Sequence, residues 1–373
     1  MIPGEVGGSE TYLRRTLAAM AELYPDHSFT VFGNNENKKA FASDLMPYGN
    51  VTLVNLGFPA SSRLRRSLRE QFAFPKFVRD SGVDVLWNPG NMVPFKVPCP
   101  SVATIYDMQY RRHPDDYSKP ELAAMRFFTG MAIKRSDAVL TVSEFSRQEI
   151  VSLAGAPFDK ISVTPLAASD DFSTPLPGSF IADRVMSVLR GGDPYILAVS
   201  NSYPHKKMED AVNAFARIMD DVPHRLAVIG QPRRGEPALE KAISGIKDPS
   251  RVIRINRVGH DDLVALVQAA ELFVFPSNYE GFGLPVLEAM NAGTPVIACR
   301  AGSIPEVGGD TIRYCKPGDI AALADEMKEV LMLPQKDRTE ITSRAAERAR
   351  KFSWKETARL TFETLASAVD ARN

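Results

Sequence analysis

Phe273-Val274-Phe275-Pro276-Ser277-Asn278-Tyr279-Glu280-Gly281-Phe282-Gly283-Leu284-Pro285-Val286-Leu287-Glu288-Ala289-Met290 reads as a buried strand that runs through a glycine-bearing loop into a helix. Pro285 suits the first helical turn, where its missing N–H would have no partner in any case. In open parallel sheets ligands gather at the carboxyl ends of the strands, which is where this loop lies. Gly281 and Gly283 let the backbone approach a ligand closely, and the N–H groups that open a helix favour a negative charge, so a diphosphate suits the site. Glu280 precedes the helix and Glu288 lies about one turn inside it, so the two carboxylates face one cavity at different depths. Each can accept hydrogen bonds from adjacent hydroxyls, such as those of a hexose or a ribose. Taken alone, the same pair also reads as a helix-start charge and a solvated helical residue.

On both sides of this stretch, short runs of Val, Ile, Leu and Phe alternate with amphipathic helical patterns, which predicts an α/β chain with parallel sheets covered by helices. Strands are expected at 28–32, 51–54, 83–87, 101–106, 138–142 and 161–164, and again at 195–200, 225–229, 251–255, 272–276 and 295–299. Between the two sets, residues 165–194 hold four prolines, the Gly191-Gly192 pair and one helical candidate at 180–189, the composition of an interdomain connection. The expected organisation is a first domain over 1–175, a second over 190–352, and a C-terminal segment 353–373 whose helix, about 354–369, crosses back to the first domain. No strand signal precedes Gly7-Gly8-Ser9-Glu10, so the first strand of a doubly wound domain is expected to be missing.

The 373 residues exceed one comfortable core and suit two domains with a cleft between them. Hydrophobic residues make up 44% and charged residues 24%, which argues against disorder. Lys plus Arg and Asp plus Glu balance at 45 each, which argues against a dedicated nucleic-acid binder. The three cysteines, Cys99, Cys299 and Cys315, are too widely spaced for a zinc motif or a disulfide framework, and a reducing cytoplasm is the expected location. No apolar run approaches the roughly 18 residues of a membrane span. Met1-Ile2-Pro3-Gly4-Glu5 has no basic segment followed by an apolar core, so no secretory leader is expected.

The 273–290 stretch resembles the sugar-nucleotide signature of glycosyltransferase family 4: a Glu, seven residues and a second Glu in a Glu-Gly-Phe-Gly-Leu-Pro-x-Leu-Glu-Ala-Met context, continuing through Ala292-Gly293-Thr294-Pro295-Val296-Ile297-Ala298. The resemblance covers nearly the whole chain. Gly7-Gly8-Ser9-Glu10 is similar to the family's first glycine loop and Tyr203-Pro204-His205-Lys206-Lys207 to its basic loop. Ser303-Ile304-Pro305-Glu306-Val307 and Phe352-Ser353-Trp354 are similar to later landmarks. It implies the GT-B fold, two Rossmann-like domains facing a central cleft, with the acceptor on the first and the donor on the second. It also implies a retaining transfer in which Glu280 holds the donor sugar, Glu288 the ribose and Lys206 the diphosphate. Gly8, Ser200, His205, Gly281, Phe282, Gly283 and Leu284 complete the implied donor site.

The chemistry asks for such groups in its own right. Cleaving the bond from an anomeric carbon to a diphosphate leaves negative charge on the departing oxygens, and preorganised positive charge must meet it. Lys206 and the helix N-terminus are the expected sources, although a lone loop lysine is ordinarily just solvated. Two positions depart from the family pattern. Ser200 stands where many members have an Arg six residues before the basic-loop Lys, which leaves phosphate neutralisation to Lys206 with help from His205. Tyr106-Asp107 stands where members commonly have His-Asp, and a tyrosine is no proton acceptor near neutral pH. In a front-face mechanism the leaving phosphate itself takes the acceptor proton, which makes Asp107 the expected acceptor-side residue; its alternative reading is a capping aspartate at a strand end. His113, ahead of Pro114, reads as a loop residue rather than a replacement base.

No Asp-x-Asp triplet occurs, so no metal and no cofactor is expected beyond the nucleotide-sugar substrate. Asp115-Asp116, Asp170-Asp171, Asp220-Asp221 and Asp261-Asp262 read as helix-start or loop charges. Arg63, Arg65, Arg66 and Arg69 with Phe72, Phe74 and Phe77 read as a Rossmann surface helix or as a peripheral contact with anionic lipid at the inner face of the membrane. The expected activity is transfer of a hexose, of mannose or glucose type, from GDP-mannose or a UDP-hexose to a glycan or lipid-linked acceptor in polysaccharide or glycoconjugate synthesis. The alternatives are a sugar-nucleotide epimerase or phosphorylase on the same fold, and a catalytically silent sugar-nucleotide-binding subunit.

Overall fold

The computed structural model describes residues 8–34, 41, 45–57 and 71–372. It divides into two compact units: 1–112 with 117–166 and 353–373, and 113–116 with 167–352. The division falls between Leu166 and Ala167, near the start of the proline-bearing stretch, and a four-residue segment, His113–Asp116, belongs with the second unit. Gly7 and the residues before it, the place of the missing strand signal, lie outside the described residues, as do Arg63, Arg65, Arg66 and Arg69.

In the first unit the helix Gly8–Leu23 is followed by β1 (Phe29–Gly33) and β2 (Val51–Asn55), which form a two-stranded parallel pair. A separate parallel sheet runs β3 (Leu86–Asn88), β4 (Ser101–Thr104), β5 (Ala138–Thr141) and β6 (Ile161–Val163) in that order. The third strand begins at Leu86 rather than at residue 83. The C-terminal helix Trp354–Asp370 packs with Gly8–Leu23 in one apolar cluster that includes Leu13, Leu17, Met20, Val102, Leu140, Ala358 and Leu365. Tyr24 stacks on Phe362 with centroids 3.7 Å apart, and the buried Tyr12 hydroxyl lies 2.7 Å from Thr164 Oγ1. Arg372 closes the last turn onto Asp137 at 2.9 Å.

The second unit holds one parallel six-stranded sheet, β7 (Tyr195–Val199), β8 (Arg225–Ile229), β9 (Val252–Ile255), β10 (Leu272–Phe275), β11 (Val296–Cys299) and β12 (Arg313–Cys315). Its spatial order is β9-β8-β7-β10-β11-β12, so chain progression reverses between β7 and β10. That is the doubly wound order, and its switch point is where an open α/β sheet leaves a crevice for a ligand. β10 and β11 are buried along their whole length, as befits strands covered on both faces. The Met208–Ile218 helix shows why the layer forms: Met208, Ala211, Val212, Phe215 and Ile218 recur at helical spacing and all are buried against the sheet. β12 was not among the expected strands. It is a three-residue edge strand whose Arg313 pairs outward with Glu326 and Glu329, so it lacks the apolar run that marks its neighbours.

Among the described residues no helix is long and apolar enough to cross a membrane. Phe72 and Phe77 are exposed, whereas Phe74 packs edge-on against Phe32.

The end of β8 meets the end of β7 at Gly230. A Cβ there would lie 1.9 Å from the Ser200 carbonyl oxygen and 2.8 Å from Asn201 N, both main-chain atoms of the site loop. Gly230→Ala is therefore expected to lower stability by about 2 kcal/mol or more, read as a drop in the denaturant midpoint. An unchanged midpoint would show that the two loops are not in contact.

Candidate functional site at the strand-order reversal

The loops that leave β7 and β10 lie side by side because their strands are neighbours at the switch point. The first, from Ser200, is fixed to the β8 loop. Ser200 N donates to Ile229 O, Gln231 N donates to Asn201 Oδ1 at 2.8 Å, and Gly235 N donates to Ser202 O at 2.7 Å. Ser202 Oγ donates to Glu236, whose carboxylate also receives Arg254 Nε and Nη2, both at 2.9 Å. A bidentate arginine–carboxylate pair of this kind is geometrically demanding and keeps the Ser202 turn in place.

The basic loop then forms a single 3-10 turn, Pro204–Lys206, followed by Lys207 with φ 51°. Its main chain is tied to the β10 loop: Asn278 N donates to His205 O at 2.9 Å, and Ser277 Oγ reaches the same carbonyl. The side chains complete the junction. Lys206 Nζ lies 2.6 Å from Glu280 Oε1, with the ammonium 5.9 Å above the Phe275 ring, and both side chains are largely buried. Lys206 and Glu280, 74 residues apart in sequence, thus meet as an ion pair.

Glu280 is also held from behind. Ser303 N and Ser303 Oγ both donate to Glu280 O, at 3.1 and 3.0 Å. Gly302, with φ 58°, lies so close that a Cβ would fall 2.4 Å from that oxygen. The 301–303 segment following β11 therefore sets the position of the Glu280 backbone. Its landmark Ser303-Ile304-Pro305-Glu306-Val307 was visible in the sequence, but Gly302 and this buttressing role were not.

The loop ends on Gly283, with φ 98° and ψ 44°, as the N-cap of the Leu284–Asn291 helix, and Pro285 stands in its first turn. No described residue accepts a hydrogen bond from the Gly283 or Leu284 amides, which leaves two donors for an anion. Glu288 is half-buried; its carboxyl makes no hydrogen bond or ion pair with the described residues and is pushed by burial up to about 8.

His205 is buried, and its Nδ1 lies 3.1 Å from Asp116 Oδ2. Burial, together with the nearby Lys206 charge and His113, holds the ring far below the usual histidine range. Asp116 Oδ2 accepts from His205 Nδ1, and the His205 carbonyl accepts from the β10 loop, so the residue braces the basic loop. Asp116, expected to be a loop charge, is part of this cluster, and Arg234 donates to its main-chain oxygen. His113 packs edge-on to Tyr279 at 5.5 Å. Asp116 and His205 stand 89 positions apart, and no local pattern foretells this contact.

Gly8 and Asp107 belong to the first unit. Asp107 Oδ1 accepts from Gln109 N at 3.0 Å, the capping geometry of its alternative reading. The phenol of Tyr106 donates to Pro89 O at 2.9 Å and to Ser9 O at 3.3 Å, and burial raises it well above the usual tyrosine value. It is a structural tie between the start of the Gly8–Leu23 helix and the end of β4, and a phenol is no proton acceptor near neutral pH. Among the described residues no group of three or more His, Cys, Asp or Glu is placed to hold a metal ion.

Known proteins resemble this chain in sequence and in fold. The model of the family described as "Glycosyl transferases group 1" matches residues 180–351, and that of "Glycosyltransferase Family 4" matches residues 6–171. O-antigen chain mannosyltransferase B of Escherichia coli is 30% identical over 260 residues, 68% of this chain and 67% of that protein. The serotype-specific mannosyltransferase WbdA of Escherichia coli is 29% identical over 282 residues, and there the match spans only 34% of the relative's length. Among solved structures, Anabaena HepE in complex with UDP and glucose superposes with a TM-score of 0.73 at 21% identity, covering 98% of each chain. Sucrose-phosphate synthase of Thermosynechococcus elongatus reaches 0.77 at 20% identity, covering 98% of this chain and 94% of that one. The chain belongs to glycosyltransferase family 4, has the GT-B type of fold, and is a hexosyltransferase.

The state of Glu288 gives a test that needs no substrate. A carboxyl raised from 4.5 to about 8 on folding stabilises the fold fully below the unfolded value, and that contribution is lost as pH rises from about 4.5 through about 8. The denaturant midpoint of the wild type should therefore fall over that window more steeply than that of Glu288→Gln. Parallel profiles would mean that Glu288 is solvated.

Proposed function

We propose that the chain transfers mannose from GDP-mannose, with retention, to a glycan or lipid-linked acceptor in polysaccharide synthesis. The observation that carries this reading is the Lys206–Glu280 pair at the switch point, with two helix amides and the Glu288 carboxyl that have no partner among the described residues. The choice of mannose rests on the relatives: the two Escherichia coli proteins are mannosyltransferases, and so is a Mycolicibacterium hassiacum protein 27% identical over 234 residues.

In this reading the diphosphate lies against Lys206 and the Gly283 and Leu284 amides, Glu280 accepts from a hydroxyl of the sugar, and Glu288 accepts from the ribose diol. The acceptor hydroxyl oxygen bonds to the anomeric carbon on the face the diphosphate leaves. The carbon–oxygen bond to phosphate breaks, and the acceptor proton passes to the departing phosphate oxygen. Lys206 and the amides meet the charge that develops there, and no resident metal or cofactor is required. No side-chain base is required either, which accommodates Tyr106. Asp107 is assigned to the acceptor side, and peripheral contact with anionic lipid is proposed for the first unit through the exposed Phe72 and Phe77 and the arginines before them.

The test is binding and slow hydrolysis of GDP-mannose, UDP-glucose, UDP-galactose and UDP-N-acetylglucosamine, with and without a chelator. GDP-mannose should bind preferentially and independently of chelator, and Lys206→Ala and Glu288→Ala should each weaken it about tenfold or more, the usual scale for a lost charge-assisted hydrogen bond. A preference for a UDP-sugar would overturn the choice of donor. Full affinity in both variants would overturn the site.

A further inference from the structure

Cys299 and Cys315 end the adjacent parallel strands β11 and β12 and are register partners. Their sulfurs are 3.6 Å apart, and both side chains are buried. Cα atoms paired across parallel strands lie about 4.8 Å apart, inside the roughly 4.4–6.8 Å range of disulfide-bonded cysteines. Closing the bond brings the sulfurs to about 2.05 Å, an approach of about 1.5 Å between the two sulfur atoms at the strand ends.

The position of the pair gives that movement a consequence. Cys299 is the last residue of β11 and is followed at once by the segment that braces Glu280, namely Gly302 against its backbone and Ser303 donating twice to its carbonyl. Arg300 N donates to Cys315 O and Ala301 N to Cys299 O, so the start of that segment hangs on both cysteines.

We propose that Cys299 and Cys315 form a reversible intramolecular disulfide under a hydroperoxide, and that closing it shifts the Gly302–Ser303 brace and impairs donor binding at Glu280. The chemistry balances within the pair. The Cys315 thiolate attacks the peroxide oxygen and becomes a sulfenic acid while the peroxide leaves as water or an alcohol. The Cys299 sulfur then displaces hydroxide from Cys315, which departs as water with the thiol proton, and the two sulfurs are joined. Either thiol can donate to the other, so either sulfur can attack first, and the balance is the same with the two roles exchanged. Access comes through the edge: β12 is three residues long and pairs on one side only, the kind of element that opens locally at low cost.

The effect on the donor rests on the function proposed above; formation of the disulfide does not. The full chain would be treated with hydrogen peroxide, then assayed for free thiols, intact mass and GDP-mannose binding, before and after dithiothreitol. The expected result is loss of two of the three thiols and two hydrogens, a peptide linking Cys299 to Cys315, and binding weakened about tenfold or more and restored by reductant, as a displacement near 1 Å in a site produces. Cys99→Ser should respond like the wild type, and Cys299→Ser and Cys315→Ser should each retain donor binding after peroxide. Three thiols surviving, or oxidation stopping at Cys99, would overturn the proposal. A linked pair with undiminished binding would overturn its regulatory half. Failure of the reduced wild type to bind GDP-mannose would count against the donor assignment alone and leave the thiol and mass results standing.

Discussion

The reversal of strand order between β7 and β10 is the constraint on which the site depends. Only at that point do two loops leave neighbouring strands without a helix between them, and so only there can Lys206 and Glu280 approach within 2.6 Å. Each part would be unremarkable by itself: a loop lysine is usually solvated, and a glutamate before a helix is usually a dipole-complementing charge. Brought together and largely buried, they become a neutral pair that fixes two functional groups in place. Removing one partner leaves the other charge buried and uncompensated, a costly state.

Around the pair, a shell of main-chain contacts does the positioning. Gly230 lets the β7 and β8 loops touch, Gly302 and Ser303 brace Glu280 from behind, and His205, hydrogen-bonded to Asp116, ties the basic loop to the β10 loop through its own carbonyl. Several of these contacts admit no side-chain atom, so they fix the site more tightly than flexible side chains would. Glu288 stands apart as the group whose hydrogen-bonding capacity no described residue uses, with burial as the sole cause of its raised carboxyl.

Much of this was legible in the sequence, for physical reasons that also mark its limits. Strands covered on both faces must be continuous apolar runs, so 272–276 and 295–299 gave themselves away within a residue of β10 and β11. β12 did not, because a short edge strand needs no such run and Arg313 faces its acidic neighbours on the surface. Glu280, Glu288 and Lys206 stood out because the strand, glycines and proline around them resemble the family's signature; taken alone, each had an ordinary reading. That Lys206 pairs with Glu280, that Asp116 meets His205, and that Cys299 faces Cys315 are products of topology across 74, 89 and 16 residues. Tyr106 is instructive in the other direction: the departure from His-Asp was plain, and the structure supplies its reason, a phenol tying Pro89 and Ser9 where a base is often found.

The central claim is that Lys206 and Glu280 act on the donor as one unit. A double-mutant cycle on GDP-mannose hydrolysis, using Lys206→Ala, Glu280→Ala and the double variant with folding checked by circular dichroism, tests it most directly. Strong coupling is expected, the double variant losing little more than either single one, because each substitution already dismantles the shared unit. Additive losses would contradict the account and show two independent groups that merely lie close together.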